Sequence, residues 1–293
     1  MTKTDRSLTE RISALAPFVS FAFRNDRCVS ASFANNSYVY EGIIRLYSKK
    51  DKGKILSLVA KLDHLEHLDL RKNRLLFINN LGHLDRLTYL NLASNYLGET
   101  PSWIAQLKSL QYLDLAVNDL VHLPSEYGAL PLKVLRIHKN KIIHYPEEYS
   151  NMKLIELNMY MNKIKTIPKF LFDSEAMEQF SWGISGLDSI PDEIRRWVNL
   201  RYFTMAATKI RSIPDSFCLL LNLKGARLHK NRISNLPSDF GNLCSLEDLT
   251  LYSNQLIGLP VSFAKLRLQR LNLSKNLFSQ PPMIPTVSRW ICI

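Results

Sequence analysis

The chain has few cysteines and few glycines for its length. Only four of the 293 residues are cysteine and ten are glycine. The cysteines, Cys28, Cys218, Cys244 and Cys292, lie far apart, which excludes a zinc knuckle built from close pairs. Secreted scaffolds that depend on disulfides carry denser and clustered cysteines. We therefore expect a protein of a reducing compartment, and specifically a cytoplasmic one.

Long apolar runs are also missing. No stretch of the sequence approaches the roughly 20 residues that cross a bilayer. The amino-terminal segment makes a poor leader, because Asp5 and Glu10 reduce its basic character and Pro17 interrupts its apolar stretch. We therefore expect no membrane insertion. The formal net charge is +12, which favours an acidic binding partner over a basic one.

Motifs of catalytic and metal sites are incomplete. Lys52-Gly53-Lys54 lacks the upstream glycine and the following hydroxyl residue of a phosphate-binding loop, and Gly183-Ile184-Ser185-Gly186 is one residue shorter than a nucleophile elbow. His64-Leu65-Glu66-His67 is one residue short of an inverted zinc motif, so both histidines are expected to be solvated. We predict no enzymatic activity, no metal and no cofactor.

An internal repeat fills most of the chain. The pattern L-x-x-L-x-L-x-x-N-x-L occurs in ten copies at steps of 22 or 23 residues, and all of its apolar positions are apolar in every copy. The L-x-L core predicts a short strand whose leucines point inward and whose intervening residues point outward. The copies begin at Leu65, Leu87, Leu110, Leu132, Leu154, Met177, Leu200, Leu223, Leu246 and Leu268.

Two further features recur with the same period. An asparagine follows the strand in eight copies, and Ser185 and Thr208 replace it in the other two. Between the strands, a local form of the type Leu236-Pro237-Ser-Asp-Phe240 recurs. Because proline suits the first turn of a helix, each connection is predicted to be a short helix or 3-10 segment. The apolar residue three positions after the proline is expected to fill the core.

These features resemble the leucine-rich-repeat family over about residues 61–279, and the proline-containing connection is similar to its intracellular LPxxI/FxxL (Ras-suppressor-like) group. The resemblance implies an α/β solenoid, a curved horseshoe with a parallel concave sheet of about ten strands and short helical or 3-10 convex segments. It also implies that the asparagines form a buried ladder of hydrogen bonds to backbone groups. The ladder residues are Asn73, Asn95, Asn118, Asn140, Asn162, Asn231, Asn254 and Asn276.

Residues 1–60 depart from the repeat and are predicted to form an amino-terminal cap. Ser7-Leu-Thr-Glu10 matches a capping box at the start of a helix, and strands are expected at Phe18–Phe23 and Cys28–Phe33. The second of these stretches also fits a degenerate eleventh repeat. The run Lys49–Lys54 is expected to be a charged loop.

Residues 280–293 are predicted to be a short carboxy-terminal tail. Pro281, Pro282 and Pro285 argue against another paired strand there. The alternative is that this chain is a fragment of a longer protein.

The outward strand positions are the candidate binding residues. Tyrosine and arginine anchor protein interfaces more often than other residues do. The segment Arg136–Ile142 nearly repeats as Arg227–Ile233, which predicts two similar stations rich in basic and aromatic residues. The candidate partner-binding residues are Tyr89, Tyr112, Arg136, His138, Tyr160, Tyr202, Arg227, His229 and Tyr252, and a basic rim comprises Lys163, Lys165, Lys209 and Arg211.

The family resemblance implies a non-catalytic protein-protein interaction module or scaffold, and the net charge favours an acidic protein partner on its concave face. A bacterial effector that acts on a host protein with the same surface is the alternative. Nucleic-acid binding is disfavoured, because Asp69, Asp114 and Glu156 share the sheet with the basic residues and would repel phosphates.

Overall fold

A computed structural model describes residues 5–15, 20–24, 27–32, 49–184, 187–282, 284 and 290–292, and the chain divides into two units, Met1–Ile142 and Ile143–Ile293. The described helices and strands of the first unit are α1 (Asp5–Leu15), β1 (Ser20–Arg24), β2 (Arg27–Ser32), α2 (Lys49–Val59), β3 (His67–Asp69), β4 (Tyr89–Asn91), β5 (Tyr112–Asp114) and β6 (Val134–Arg136). Those of the second unit are β7 (Glu156–Asn158), β8 (Gln179–Gly183), β9 (Tyr202–Ala206), β10 (Gly225–Arg227), β11 (Asp248–Thr250), β12 (Arg270–Asn272) and β13 (Trp290–Cys292).

Parallel pairing in repeat register organises both units. In the first unit β1 is antiparallel to β2, and β2 to β6 then pair in parallel in chain order. In the second unit β7 to β13 also pair in parallel in chain order. Equivalent leucine positions face each other across the strands, as Leu68, Leu90, Leu113 and Leu135 do. The strands β3 to β12 correspond to the ten repeats, so the predicted fold class is confirmed.

The inward apolar positions form the core of each unit. All of these positions are buried except Leu187 and Phe278, which are half-buried. Trp182 occupies one of the inward positions and is 2% exposed, as expected. Burial of this continuous apolar surface is the main term that stabilises such short strands, at about 25 cal/mol per Å².

The connections are 3-10 segments that follow proline. They span Ser102–Gln106, Ser125–Ala129, Glu147–Asn151, Lys169–Asp173, Asp192–Arg196, Asp215–Leu219, Phe240–Asn242 and Val261–Lys265. In all but Phe240–Asn242 the proline directly precedes the segment, one residue before the predicted first turn. The apolar residue three positions after the proline is buried, as predicted, and Phe217, Phe240 and Phe263 stack along the second unit.

A left-handed residue lies directly before the asparagine position in every copy. Its φ is between 52° and 60° in all ten repeats, and none of these residues is glycine. The left-handed residue lies in the turn that follows the strand and directly precedes the asparagine position. Val117 and Ile184 are β-branched and adopt this conformation at a steric cost.

The sequence-based prediction of the amino-terminal elements was partly wrong. Helix α1 already includes Asp5, so Ser7 lies within the helix and does not cap it. The Asp5 side chain is buried and accepts a hydrogen bond of 2.7 Å from the Cys28 backbone N–H. Residues 49–59 form helix α2 and not a charged loop, because Ile55, Leu56, Leu58 and Val59 supply a buried face that outweighs the charged first turn.

The prediction for the carboxy-terminal tail was also wrong in one respect. Residues 290–292 form strand β13, which pairs in parallel with β12, although the prolines argued against a further strand. The prolines precede the strand in sequence, and they therefore remove no donor from its hydrogen bonds.

Candidate functional site

The predicted site residues lie on the outward side of the strands or in the turns that follow them. Of the predicted partner-binding residues, Tyr202 and Arg227 are exposed, and the others are half-buried. The half-buried residues are Tyr89, Tyr112, Arg136, His138, Tyr160, His229 and Tyr252.

In the first unit, three outward rings stack on one another across strands β3, β4 and β5. The ring centroids of His67 and Tyr89 are 3.8 Å apart at an interplanar angle of 10°, and those of Tyr89 and Tyr112 are 4.2 Å apart at 13°. We call this set the aromatic ladder. His67 therefore belongs to the candidate site, and the expectation that it is a solvated histidine was wrong, because it occupies the same repeat position as the two tyrosines.

Arg136 completes the ladder at its end. Its Nη1 donates a 2.8 Å hydrogen bond to the Tyr112 hydroxyl, and its guanidinium carbon lies 5.4 Å from the ring centroid. Burial raises the pKa of Tyr112, with a further contribution from Asp114 and an opposing effect of Arg136. Burial likewise lowers the pKa of His67. Both rings are therefore neutral near pH 7.

The acidic and amide side chains at the last residue of strands β3, β4 and β5 accept hydrogen bonds from the backbone. Asp69, Asn91 and Asp114 are buried, and each accepts a hydrogen bond from the backbone N–H two residues further on, at 2.9 to 3.0 Å. Asp69 also forms an ion pair with Arg71 at 3.1 Å. These carboxylates are committed to internal partners, a role that the outward pattern alone did not predict.

In the second unit, the outward aromatic side chains include His229, Tyr252 and Tyr160. His229 stacks on Tyr252 with centroids 4.5 Å apart and an angle of 9°. Tyr160 lies over Gly183, where an added Cβ would be 2.3 Å from Tyr160 Cε2. Burial raises the pKa of Tyr160, and the nearby Tyr252 adds to the shift. Only glycine therefore fits beneath the Tyr160 ring at position 183.

Tyr202 is the most exposed of the five outward tyrosines, with 46% of its surface accessible. Its ring lies beside Gly225, where an added Cβ would be 2.9 Å from Tyr202 Cδ1. On strand β11, which pairs with the strand of Gly225, the carboxylate of Asp248 accepts two hydrogen bonds from Arg270. This acidic group is also paired internally.

The basic rim lies on the loops that leave the strands, and all four of its residues are exposed. Two of them, Lys163 and Lys165, line an open cavity of about 630 Å³ together with Tyr145 and Phe170. Among the described residues, no group of three His, Cys, Asp or Glu side chains could hold a metal ion. In the same residues, no helix has both the length and the apolar character needed to span a membrane.

The asparagines bond backbone groups of their own and the preceding repeat. The Oδ1 of Asn95 accepts hydrogen bonds of 3.0 Å from the N–H groups of Asn73 and Leu75, and its Nδ2 donates to the carbonyls of Leu70 and Leu92 at 3.0 and 2.8 Å. Similar donor and acceptor bonds are made by Asn118, Asn140, Asn231, Asn254 and Asn276. The side chain of each residue thus joins successive repeats.

The asparagine ladder differs at its start and near its substituted positions. Asn73 is half-buried and donates to the carbonyls of Leu70 and Arg71. Asn162 is buried and donates to the carbonyl of Met159. Thr208 is buried, and both its hydroxyl and its backbone N–H donate to Oδ1 of Asn231, so this hydroxyl bonds the next ladder asparagine and not a backbone carbonyl. Ser185 lies outside the described residues.

Comparisons with known proteins agree with this architecture. A family model described as Leucine Rich Repeat matches residues 86–107. An LRR protein of Leptospira interrogans is 24% identical, with a TM-score of 0.58 over 82% of this chain and 82% of that one. An internalin of Listeria monocytogenes is 16% identical, with a TM-score of 0.62 over 94% of this chain and 95% of that one.

A plant receptor is similar as well. The LRR ectodomain of the membrane receptor kinase GASSHO1/SCHENGEN3 from Arabidopsis thaliana, in complex with Casparian strip integrity factor 2, is 27% identical with a TM-score of 0.62. The similarity covers 73% of this chain but only 28% of that one. The matched repeat and the shared fold together support the leucine-rich-repeat family for this chain, a family whose members are generally protein-interaction modules.

Proposed function

We propose that the outward side of the strands binds an acidic region of another protein and that the chain acts as a non-catalytic interaction module. The aromatic ladder carries the proposal. Its three rings are held by mutual stacking at 3.8 and 4.2 Å, so little side-chain freedom remains to be lost when a partner binds. Tyrosine at such a pre-ordered surface is a common anchor of protein interfaces.

The charge of the outward side supports an acidic partner. Asp69 is paired with Arg71, and Asp248 with Arg270, so these carboxylates offer little to a basic ligand. Glu178 lies 3.5 Å from Arg201 in a further ion pair. The four basic-rim residues are exposed, and the chain carries a net charge of +12. An acidic protein surface would therefore be attracted, and its encounter would be accelerated at low salt.

An intracellular setting, as in the Ras-suppressor-like group, is part of the proposal. Cys28 and Cys218 are buried free thiols, and burial raises the pKa of each to about 11. Thiols of this kind are inert and suit a reducing compartment.

Affinity capture on the immobilised chain, with nuclease treatment and mass spectrometry, would identify the partner. Titration calorimetry would then compare Tyr89→Ala with Tyr96→Ala, a control tyrosine that is 51% exposed on the loop after strand β4. We expect Tyr89→Ala to weaken binding by about 2 kcal/mol, or roughly thirtyfold, and Tyr96→Ala to leave it unchanged. Equal affinities for both variants would contradict the proposal, as would a separate titration in which nucleic acid binds the chain with a steep salt dependence.

A further inference from the structure

Two nearly identical segments of the chain place an arginine on the outward side of a strand. Arg136 ends β6 in the first unit, and Arg227 ends β10 in the second. Each is followed by an apolar residue, a histidine, a lysine and the ladder asparagine. Because the local sequences are so similar, the surroundings of the two guanidinium groups decide what each can bind.

The guanidinium group of Arg136 has partners within the protein. The residue opposite Arg136 on the neighbouring strand β5 is Asp114, an acidic residue. Its guanidinium donates to the Tyr112 hydroxyl at 2.8 Å and lies over the same ring. Stacking on Tyr89 holds Tyr112 in this position.

The surroundings of Arg227 differ at each of these points. Its register partners are Thr204 on β9 and Thr250 on β11, so neither neighbour supplies a carboxylate. Tyr202, the counterpart of Tyr112, lies beside Gly225. Arg227 is exposed, and within the part of the chain that the structure describes no side chain forms an ion pair or a hydrogen bond with its guanidinium.

The charged and titratable groups near Arg227 are His229, Lys230 and Asp248. Burial, together with the charges of Lys230 and Arg227, lowers the pKa of His229, so the imidazole is neutral near pH 7. The carboxylate of Asp248 on β11 accepts two hydrogen bonds from Arg270, which offsets its charge. The positive charge of Arg227 therefore remains available to a ligand.

An unsatisfied hydroxyl lies on the strand next to Arg227. The Thr250 Oγ1 is buried and has no hydrogen-bond partner among the described residues. A buried hydroxyl without a partner is unfavourable, and a carboxylate at Arg227 would bring an acceptor to this side of the sheet. The stacked rings of His229 and Tyr252 provide an apolar wall against which the methylene groups of an acidic side chain can pack.

We infer that Arg227 is the anchor of the binding surface and that it binds the carboxylate of an aspartate or glutamate side chain from a partner protein, whereas Arg136 has a structural role in holding Tyr112. The fork of guanidinium donors matches the two carboxylate oxygens, which gives such a pair both strength and direction. This inference rests on the proposed function, because it names the chemistry of the partner at one outward position of the second unit.

The probe is a library of random twelve-residue peptides, displayed through their carboxyl ends and selected on the intact chain. Selected peptides are synthesised with blocked termini, so that side chains carry all of their carboxylates. Fluorescence anisotropy then measures Kd for wild type, Arg227→Gln, Arg136→Gln and Arg195→Gln. Arg195 is an exposed arginine of a 3-10 segment in the second unit and serves as the matched control.

We expect the selected peptides to share an acidic residue. Arg227→Gln should weaken binding about tenfold or more, as expected for the loss of a hydrogen bond between charged groups. Arg136→Gln should cost less than about threefold, and Arg195→Gln should have no effect. Amidation of the shared acidic residue should cost wild type about tenfold and cost Arg227→Gln nothing further, because both changes remove the same contact. Circular dichroism melting would verify that all variants fold.

Two results would overturn the assignment while leaving the proposed function intact. One is a set of peptides that bind and are weakened by Tyr89→Ala but not by Arg227→Gln. The other is an equal or larger loss for Arg136→Gln than for Arg227→Gln. A library that yields no binder at all would count against the proposed function and this inference together.

Discussion

The hydrogen bonds of Asn95 allow a quantitative prediction of stability. The Asn95→Ala substitution removes an acceptor used by two backbone N–H groups, those of Asn73 and Leu75, each at 3.0 Å. It also removes the donors to the carbonyls of Leu70 and Leu92. A buried polar group that loses its partner costs about 1–3 kcal/mol. Leu75 is 5% exposed and Asn73 is half-buried, so we expect a total loss of about 2–4 kcal/mol in the free energy of unfolding.

Urea unfolding followed by far-ultraviolet circular dichroism would measure this loss. The matched control is Asn73→Ala at the start of the ladder, where the side chain is half-buried and donates to the carbonyls of Leu70 and Arg71. We expect that variant to lose less than about 1 kcal/mol, because water can reach the groups it leaves. Repeat proteins can unfold in stages. The dependence of the unfolding free energy on urea concentration should therefore be compared between variants before the midpoints are converted to energies.

The reasoning would be refuted by equal losses for Asn95→Ala and Asn73→Ala, or by no loss for Asn95→Ala. Either result would mean that the interior hydrogen bonds contribute no more than those at the solvent-accessible start of the ladder.

Three further predictions concern backbone strain, electrostatics and the amino-terminal cap. Val117→Asn should stabilise the protein by about 1 kcal/mol in thermal melting, because Val117 has a φ of 55° and asparagine adopts this conformation more readily than a β-branched residue; an unchanged or lower Tm would contradict this. Arg227→Gln should raise the pKa of His229 in an NMR titration, because a nearby cation disfavours the imidazolium, while Arg195→Gln should leave that pKa unchanged. The folded-state pKa of His229 lies below the unfolded value of 6.5, so the stability of the wild type should fall as the pH drops below 6.5. This loss of stability should be smaller in Arg227→Gln. Deletion of residues 1–60 should cause association in light scattering by exposing the end of the apolar core, and a folded monomer would argue against a capping role.

The repeat made the strands and their inward faces predictable. Positions such as Leu68 and Leu90 recur with the same neighbours, so ten copies of one weak pattern add up to a firm prediction. The 3-10 segments were predictable for the same reason. Helix α2 was missed because its first residues are charged, and its apolar face becomes evident only where the helix packs against helix α1.

The candidate site was predictable as a set of positions but not as a set of contacts. The outward positions of Tyr89, Tyr112 and Arg136 follow from the alternation along each strand. The stacking of His67 on Tyr89 and the hydrogen bond from Arg136 to the Tyr112 hydroxyl depend on side-chain conformations that no residue pattern specifies. The left-handed turn before each asparagine was missed because no glycine marks it.

Oxidative footprinting of the bound complex tests most directly whether the outward side of the strands is the binding surface. Tyr202 on β9 and Tyr96 on a loop have similar accessibility, at 46% and 51%. Hydroxyl-radical labelling with mass spectrometry, in the presence and absence of the captured partner, should show protection of Tyr202 and unchanged labelling of Tyr96. Protection of Tyr96 without protection of Tyr202 would contradict the account and would place the interface on the loops.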